Sequence, residues 1–284
     1  MAINGMDSLI AAFSAGQSAK GYFQKATSNA ATSAAGRWHE LFTATGIPTA
    51  GSWTGTAGVA TVMNASTQGA LYTGTASVSP DVKNLVSWKI QSPTSTLVPA
   101  TFYLVDFLLY YPACVVTGTP TTLNNTATLT RYTDGVGVFP IIAVQTALGA
   151  ASPALTLTYT DQSGTGSNVA LALTSPVNSA PISTLFLNNG SPFLPLATTD
   201  TGVRKIDSYT LASGTTGTVA MILVKIIAEI DLYAINTGVL ADYIANTPTF
   251  PKIEDNACLG IIGVCGGAMV ASSVLSGTIT TVWD

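Results

Sequence analysis

The chain has 284 residues, enough to bury one large β-sandwich core or two smaller ones without help from disulfides. Only 8% of them are Asp, Glu, Lys or Arg, against about 25% in an ordinary soluble domain. A net charge of −4 with ten scattered Lys and Arg excludes a nucleic-acid backbone as partner, because holding phosphates needs clustered cations. Threonine, about one residue in seven, keeps the surface wet in place of ionic groups. A surface so weakly charged repels its neighbours little and favours association with copies of itself or cover by a partner.

The opening run MAINGMDSLIAAF has no basic leader and no clear cleavage site, and reads as a cytoplasmic product. Asp7 is a natural N-cap, and Leu9, Ile10 and Phe13 follow at helical spacing before Gly16, so a short amphipathic helix is expected over 7–15. Residues 17–36 are small and polar and read as an extended arm. The expected division is therefore a helix and arm over 1–36 and a β-sandwich over 37–284, with the Pro- and Thr-rich stretch 117–126 as the place for any further boundary.

From Arg37 onward the period is two. Short strands are expected near 38–43, 59–63, 83–91, 127–132, 138–146 and 258–265. Phe102 to Tyr111 is apolar on both faces apart from Asp106, as in a central strand or one covered by another subunit. Leu155 to Thr160 sets Leu, Leu and Tyr on one face and three threonines on the other, and a Gly- and Ser-rich turn leads to Val169–Leu173, which together predict an antiparallel hairpin. A second hairpin is expected between Val203–Leu211 and Thr218–Ile227. Between Asn256 and Trp283 there is no charge, but the four glycines within ACLGIIGVCGGAMVASSVL and the β-branched ending favour two buried strands around a glycine turn over a membrane-spanning helix. Many short strands separated by turn signals predict an all-β, antiparallel sandwich, jelly-roll-like in arrangement.

Few residues suit catalysis. His39 is the sole histidine, so any Ser-His or Cys-His device must use it, and packing beside Trp38 at a strand start is its expected role. There is no G-x-S-x-G elbow, no Gly-Lys dipeptide for a phosphate loop and no metal-ligand spacing, and neither cofactor nor metal is expected. Cys114, Cys258 and Cys265 read as buried free thiols. The turn Asp161-x-Ser163-x-Thr165-Gly166 resembles the start of a calcium loop, but its twelfth position is Ala172, where a bidentate carboxylate is needed, so a hairpin turn is expected. Asp106 inside an apolar strand calls for a structural partner: Lys, Arg, Tyr or main chain. The same structural bonding is expected of Arg131, Asp134, Asp200, Arg204 and Lys205 at strand ends and turns, with subunit contacts as their alternative use.

The runs TATLTRYTDGVGVFPIIAVQTALGA (126–150), LTLTYTDQSGTG (155–166), SPFLPLATTDTGVRKIDSYTL (191–211) and PKIEDNACLGIIGVCGG (251–267), with YLVDFLLYYP (103–112) and the opening MDSLIAAF, resemble a family of tailed-phage virion proteins. The resemblance implies an auxiliary head protein, a decoration or cement protein on the capsid exterior, made in the host cytoplasm. Its implied partners are the major capsid protein and further copies of itself in a trimer. The expected contact residues are Leu9, Ile10, Phe13, Tyr22 and Phe23 on the helix and arm, with Phe107 and Tyr110 on the apolar strand. Competing readings are a receptor- or glycan-binding head-fibre or tail component using Trp53, Tyr72 or Trp88, and a virion hydrolase with two facing carboxylates.

Overall fold

The computed structural model describes residues 3, 5–26, 35–115, 118–149, 154–166, 168–169, 173–174, 182–211, 216–245, 249–267 and 273–284. Helix α1 (Met6–Ser14) is followed by strands β1 (Ser18–Ala26), β2 (Trp38–Glu40), β3 (Gly46–Ile47), β4 (Thr61–Val62), β5 (Lys83–Gln91), β6 (Ala100–Val115), β7 (Thr121–Thr122) and β8 (Val138–Thr146). The second half holds β9 (Ala154–Asp161), β10 (Asn168–Val169), β11 (Leu173–Thr174), β12 (Val203–Leu211), β13 (Thr218–Leu232), β14 (Val239–Asp242), β15 (Lys252–Ile253), β16 (Leu259–Cys265) and β17 (Val274–Trp283). The fold is all-β and antiparallel with one short N-terminal helix.

The described strands form three sheets. The central sheet has the order β2-β16-β6-β13-β8, with β4 also on β6; the second runs β14-β5-β17-β1-β3, with β15 on β5; the third runs β10-β9-β12-β7, with β11 on β9. The central sheet closes on itself through the segment Ser183–Phe186. On one side Ser183 N–H donates to Val144 O (2.8 Å), Val144 N–H to Thr184 O (2.9 Å) and Phe186 N–H to Ile142 O (2.9 Å). On the other side Glu40 N–H donates to Ser183 O (3.1 Å) and Leu185 N–H to Trp38 O (2.9 Å). The strand order thus returns to β2 and leaves no free edge along that stretch.

Alternation along the two longest strands explains the layers. Val105, Phe107 and Tyr110 of β6 and Ala220, Ile222 and Val224 of β13 point into the closed sheet, where Phe42, Trp53 and Met63 fill it. On the outer face, Phe102 and Leu104 with Ala228, Ile230 and Leu232 pack on Leu85, Trp88 and Ile90 of the second sheet. Further along the same face, Leu109 and Tyr111 with Val219, Met221 and Leu223 pack on Leu155, Leu157, Tyr159 and Ile206 of the third sheet. Register shifts between Leu223 and Val224 and between Ile226 and Ala228 let β13 bend from one core to the other. Close approach also fixes Gly260 on β16, where a Cβ would stand 2.3 Å from the Phe107 ring.

Asp106 lies between these two cores, after Leu104 and before Leu108. Its carboxylate accepts a forked pair from Arg131, Nε to Oδ2 at 2.9 Å and Nη2 to Oδ1 at 2.8 Å, and Cys258 N–H adds a third bond at 2.9 Å. The guanidinium donates onward to Met63 O (3.0 Å) and Phe107 O (3.1 Å), so four stretches of chain meet at one ion pair. Burial pushes the Asp106 carboxyl pKa up, and the guanidinium opposes that push.

Several expectations are corrected. Residues Ser18–Ala26 of the expected arm form β1, paired with β17 over nine residues from Ser18↔Val282 to Ala26↔Val274; 27–34 lie outside the described residues. The cap of α1 is Gly5, and Asp7 sits in the first turn, where its charge complements the helix dipole. The hairpin of β9 with β10 and β11 forms, with 170–172 outside the described residues. The second expected hairpin does not form: β12 pairs with β9 and β7, and β13 with β6 and β8. Val219 to Val224 is apolar on both faces and needs a central place, whereas β12 buries one face only, interrupted by two register shifts. Residues 127–132 join no strand among the described residues, because their alternation comes from Leu129 and Arg131 turning inward as separate anchors. The last two strands do form, but β16 belongs to the central sheet and β17 to the second. No helix among the described residues is long and apolar enough to cross a membrane.

Two stability predictions follow from the buried charges. Arg131→Leu leaves the Asp106 carboxylate without its counter-ion and should cost about 3–5 kcal/mol in urea unfolding, and Asp106→Leu/Arg131→Leu should recover part of that loss. A single-variant cost below about 1 kcal/mol would contradict the pair's role. His39 is buried, and desolvation, aided by the Arg37 charge, lowers its pKa from 6.5 to about 4. The unfolded chain therefore holds more protons between those values, and stability falls as pH drops through that window. Between pH 7 and 4 the native chain should lose on the order of 3 kcal/mol more than His39→Leu. Neighbouring Glu40, whose pKa burial raises, acts in the opposite direction and is common to both chains.

Candidate functional site

In a protein of this composition the candidate site is a surface, and α1 builds one part of it. Leu9 and Ala12 pack on Val86 and Val282, which seats the helix on one end of the second sheet's outer face. The adjoining side of the helix carries Met6, Ile10 and Phe13, spaced four and three residues apart and 55%, 56% and 40% exposed. Large apolar side chains in such a row are the form taken by helix-in-groove contacts.

Beyond the helix the outer face continues as cross-strand rows. Leu240, Lys89, Thr278 and Tyr22 stand directly opposite one another across four strands. One row away are Gln91, Ser276, Gln24 and Ile47, and on the other side Asp242, Ser87, Thr280 and Lys20. Tyr22, Ile47 and Leu240 are each about half exposed. Lys20 and Lys89 enter no ion pair among the described residues. A cavity of about 310 Å³ opens at the end of this face, lined by Gln24, Gln91, Ser92, Asn236 and Ser276. The surface is flat, mixed in polarity and close to neutral, which suits a protein partner better than a charged ligand.

The reactive residue types are elsewhere and are engaged in the core. Cys114, Cys258 and Cys265 are buried free thiols, and burial pushes Cys114 and Cys265 up to about 12, so they are poor nucleophiles. Glu40 is buried and accepts from Thr43 N–H at 2.9 Å and from the Thr43 hydroxyl, which also meets Ser183 Oγ at 2.8 Å. Lys25, lowered to about 8 by burial, donates to Ala44 O (3.2 Å) and Pro48 O (2.7 Å). Asp161 Oδ1 accepts from Ser163 N–H and Oγ and from Thr165 N–H, so the calcium-like sequence is a self-satisfied turn. No group of three or more His, Cys, Asp or Glu among the described residues could hold a metal ion.

Of the seven expected contact residues, Ile10, Phe13 and Tyr22 stand on this surface. The other four are corrected. Leu9 is the anchor beneath the helix; Phe23 is an inward residue of β1; Phe107 and Tyr110 point into the closed sheet, and Tyr110 donates its hydroxyl to Thr54 O at 2.6 Å. All four are apolar-faced residues already covered by their own chain. Trp53 and Trp88 are likewise core residues, while Tyr72 is exposed. The reading from sequence misses Met6, Lys20, Ile47, Lys89 and Leu240, because the surface is assembled from strands far apart in the chain. The half-exposed alternation of 18–26 is the signal that could have found Lys20.

No family model matches the chain, and no curated protein does. Among solved structures it is weakly similar to a subviral particle of infectious bursal disease virus VP2, at 12% identity over 94% of this chain and 81% of that one, TM-score 0.24. It is also weakly similar to the VP1 pentamer of human polyomavirus 6, at 11% identity over 94% of each chain, TM-score 0.12. Similarity of this degree carries no argument about role.

Placement and energetics separate core from surface in a direct test. Phe23→Ala and Phe107→Ala should each destabilise by about 3–5 kcal/mol, whereas Ile10→Ser and Tyr22→Ser should stay within about 0.5 kcal/mol. Thermal unfolding of the purified chain measures all four.

Proposed function

We propose that the protein is a non-enzymatic structural component of a virion, an auxiliary head protein that binds the outside of a tailed-phage shell and stabilises it as a homotrimer. The observation that carries this reading is the exposed apolar row of Met6, Ile10 and Phe13 on a helix seated on the same sheet that exposes Tyr22, in a chain whose few buried charges serve the core. The sequence resemblance to tailed-phage virion proteins supports the choice of partner.

The mechanism is mass action. A protein that bridges neighbouring shell subunits must lose its contacts before they separate, so binding the assembled state stabilises it. Oligomerisation strengthens the effect, since each bound protomer holds the others at high local concentration. Weak surface charge suits this work, because many copies packed on one shell repel one another little.

Particles assembled with Ile10→Asp/Phe13→Asp/Tyr22→Asp should lack the protein, and their heat-release midpoint should fall to that of undecorated shells. Gel densitometry against the major capsid band should give copy numbers near that of the shell subunits for the native chain. Normal incorporation of the triple variant would remove this surface from the contact, and a few copies per particle would favour a head-fibre or tail component.

A further inference from the structure

We infer that the two clefts flanking Thr128–Asp134 form a binding site for a neutral oligosaccharide. This is independent of the capsid-contact surface.

The segment bends at 130–132 and enters a turn at 133–134, with Leu129 and Arg131 buried and Thr128, Thr130, Thr133 and Asp134 exposed. Arg131 ties it to the ion pair with Asp106, so a loop that pairs with no strand is nevertheless held at its centre. The turn that ends it is also over-determined. Gly135 N–H donates to Tyr132 O at 2.7 Å, Val136 N–H to Asp134 Oδ1 at 3.1 Å, and Arg204 Nε to Asp134 O at 3.2 Å, while Lys225 Nζ lies 5.4 Å from the centre of the Tyr132 ring. Tyr132 is held at φ +49°, a left-handed conformation costly for a non-glycine residue and retained where surroundings enforce it.

On one side of the segment lies a cleft of about 520 Å³ lined by Thr130, Thr133, Asp134, Glu254 and Asn256. On the other lies one of about 430 Å³ lined by Thr128, Thr133, Thr160, Arg204 and Lys205. Thr133 borders both, so the clefts adjoin. Each volume falls within the range of small-molecule sites.

The lining selects the ligand class. It mixes hydroxyls, carboxylates, an amide, a guanidinium and an ammonium, and Leu129 is the apolar contribution to the second cleft. The main-chain groups of Thr128, Leu129 and Thr130 join no main-chain hydrogen bond among the described residues, which adds donors and acceptors along the ridge. Opposite charges nearly cancel: Asp134, Glu254 and Asp255 stand against Arg204, Lys205 and Lys252, with Lys252 and Glu254 paired at 2.8 Å and Lys205 paired with Asp207 at 3.1 Å. A strongly charged ligand meets nearly balanced charges here, and the Leu129 side chain and the Tyr132 ring add apolar surface on which the C–H face of a sugar can pack. A sugar hydroxyl both donates and accepts, and suits such a lining. Because the loop is anchored, little ordering cost attends binding.

The test titrates the full chain with maltotetraose, cellotetraose, chitotetraose and mannotetraose, read by saturation-transfer NMR. At least one should bind saturably, with less than about a twofold change in affinity between 0.05 and 0.5 M NaCl. Thr130→Val/Thr133→Val, both exposed, should weaken that binding at least tenfold without changing the unfolding midpoint, and Lys20→Gln on the remote sheet face should leave it unchanged. The inference is overturned if no member of the panel saturates, if the double variant binds as well as the native chain, or if salt abolishes binding. It is equally overturned if an alternating Thr-Val heptapeptide, pairing with the Thr128–Thr130 ridge as an added strand, binds and the saccharides do not.

Discussion

The ion pair between Asp106 and Arg131 is the constraint on which the rest of this structure depends. A carboxylate in the middle of the most apolar strand would be ruinous alone, and it is tolerated because the guanidinium meets it in a forked geometry and Cys258 N–H occupies part of what remains. Its position matters as much as its chemistry. On one side β6 packs against the second sheet and on the other against the third, so the pair sits where two hydrophobic cores would otherwise merge. Arg131 also reaches Met63 O and Phe107 O, which fixes the approach of a loop and of the chain that plugs the closed sheet.

Closure of the central sheet has a consequence for the surface. Ser183–Phe186 bonds to both β8 and β2, which removes the free edges of the central sheet along that stretch. The second and third sheets end on short strands, β14 and β3 in one and β10 and β7 in the other. The outer face of the second sheet, covered at one end by α1, carries exposed Tyr22, Ile47 and Leu240 with two lysines, Lys20 and Lys89, that enter no ion pair among the described residues. A chain with 8% charged residues has few other means of directing its contacts.

Local signals were read well where a strand buries one face or two against its own chain. The bounds expected for 83–91 and 138–146 match β5 and β8, and β9 sets Leu155, Leu157 and Tyr159 into the core as its period requires. The failures have specific causes. Residues 18–26 looked like an arm because small and polar residues on the outer face dilute the pattern of Gly21, Phe23 and Lys25 turning inward. Residues 127–132 looked like a strand because two anchors happen to be two apart. Of the residues expected to be exposed, Ile10, Phe13 and Tyr22 are, whereas Phe23, Phe107 and Tyr110 are buried, because exposure cannot be told from burial by residue type.

The β class, the antiparallel hairpin at β9, the short helix, the need of Asp106 for a partner and the poverty of catalytic residues were all present in the order of residues, since each depends on near neighbours or on composition. Which strand lies beside which was decided only in three dimensions. β12 and β13 are consecutive yet belong to different sheets, and β16 and β17 likewise, because a strand apolar on both faces must be central and one apolar on a single face must not. The identity of the Asp106 partner, the closing role of Ser183–Phe186 and the set of side chains sharing one outer face depend on contacts between residues far apart in the chain. No local pattern encodes those distances.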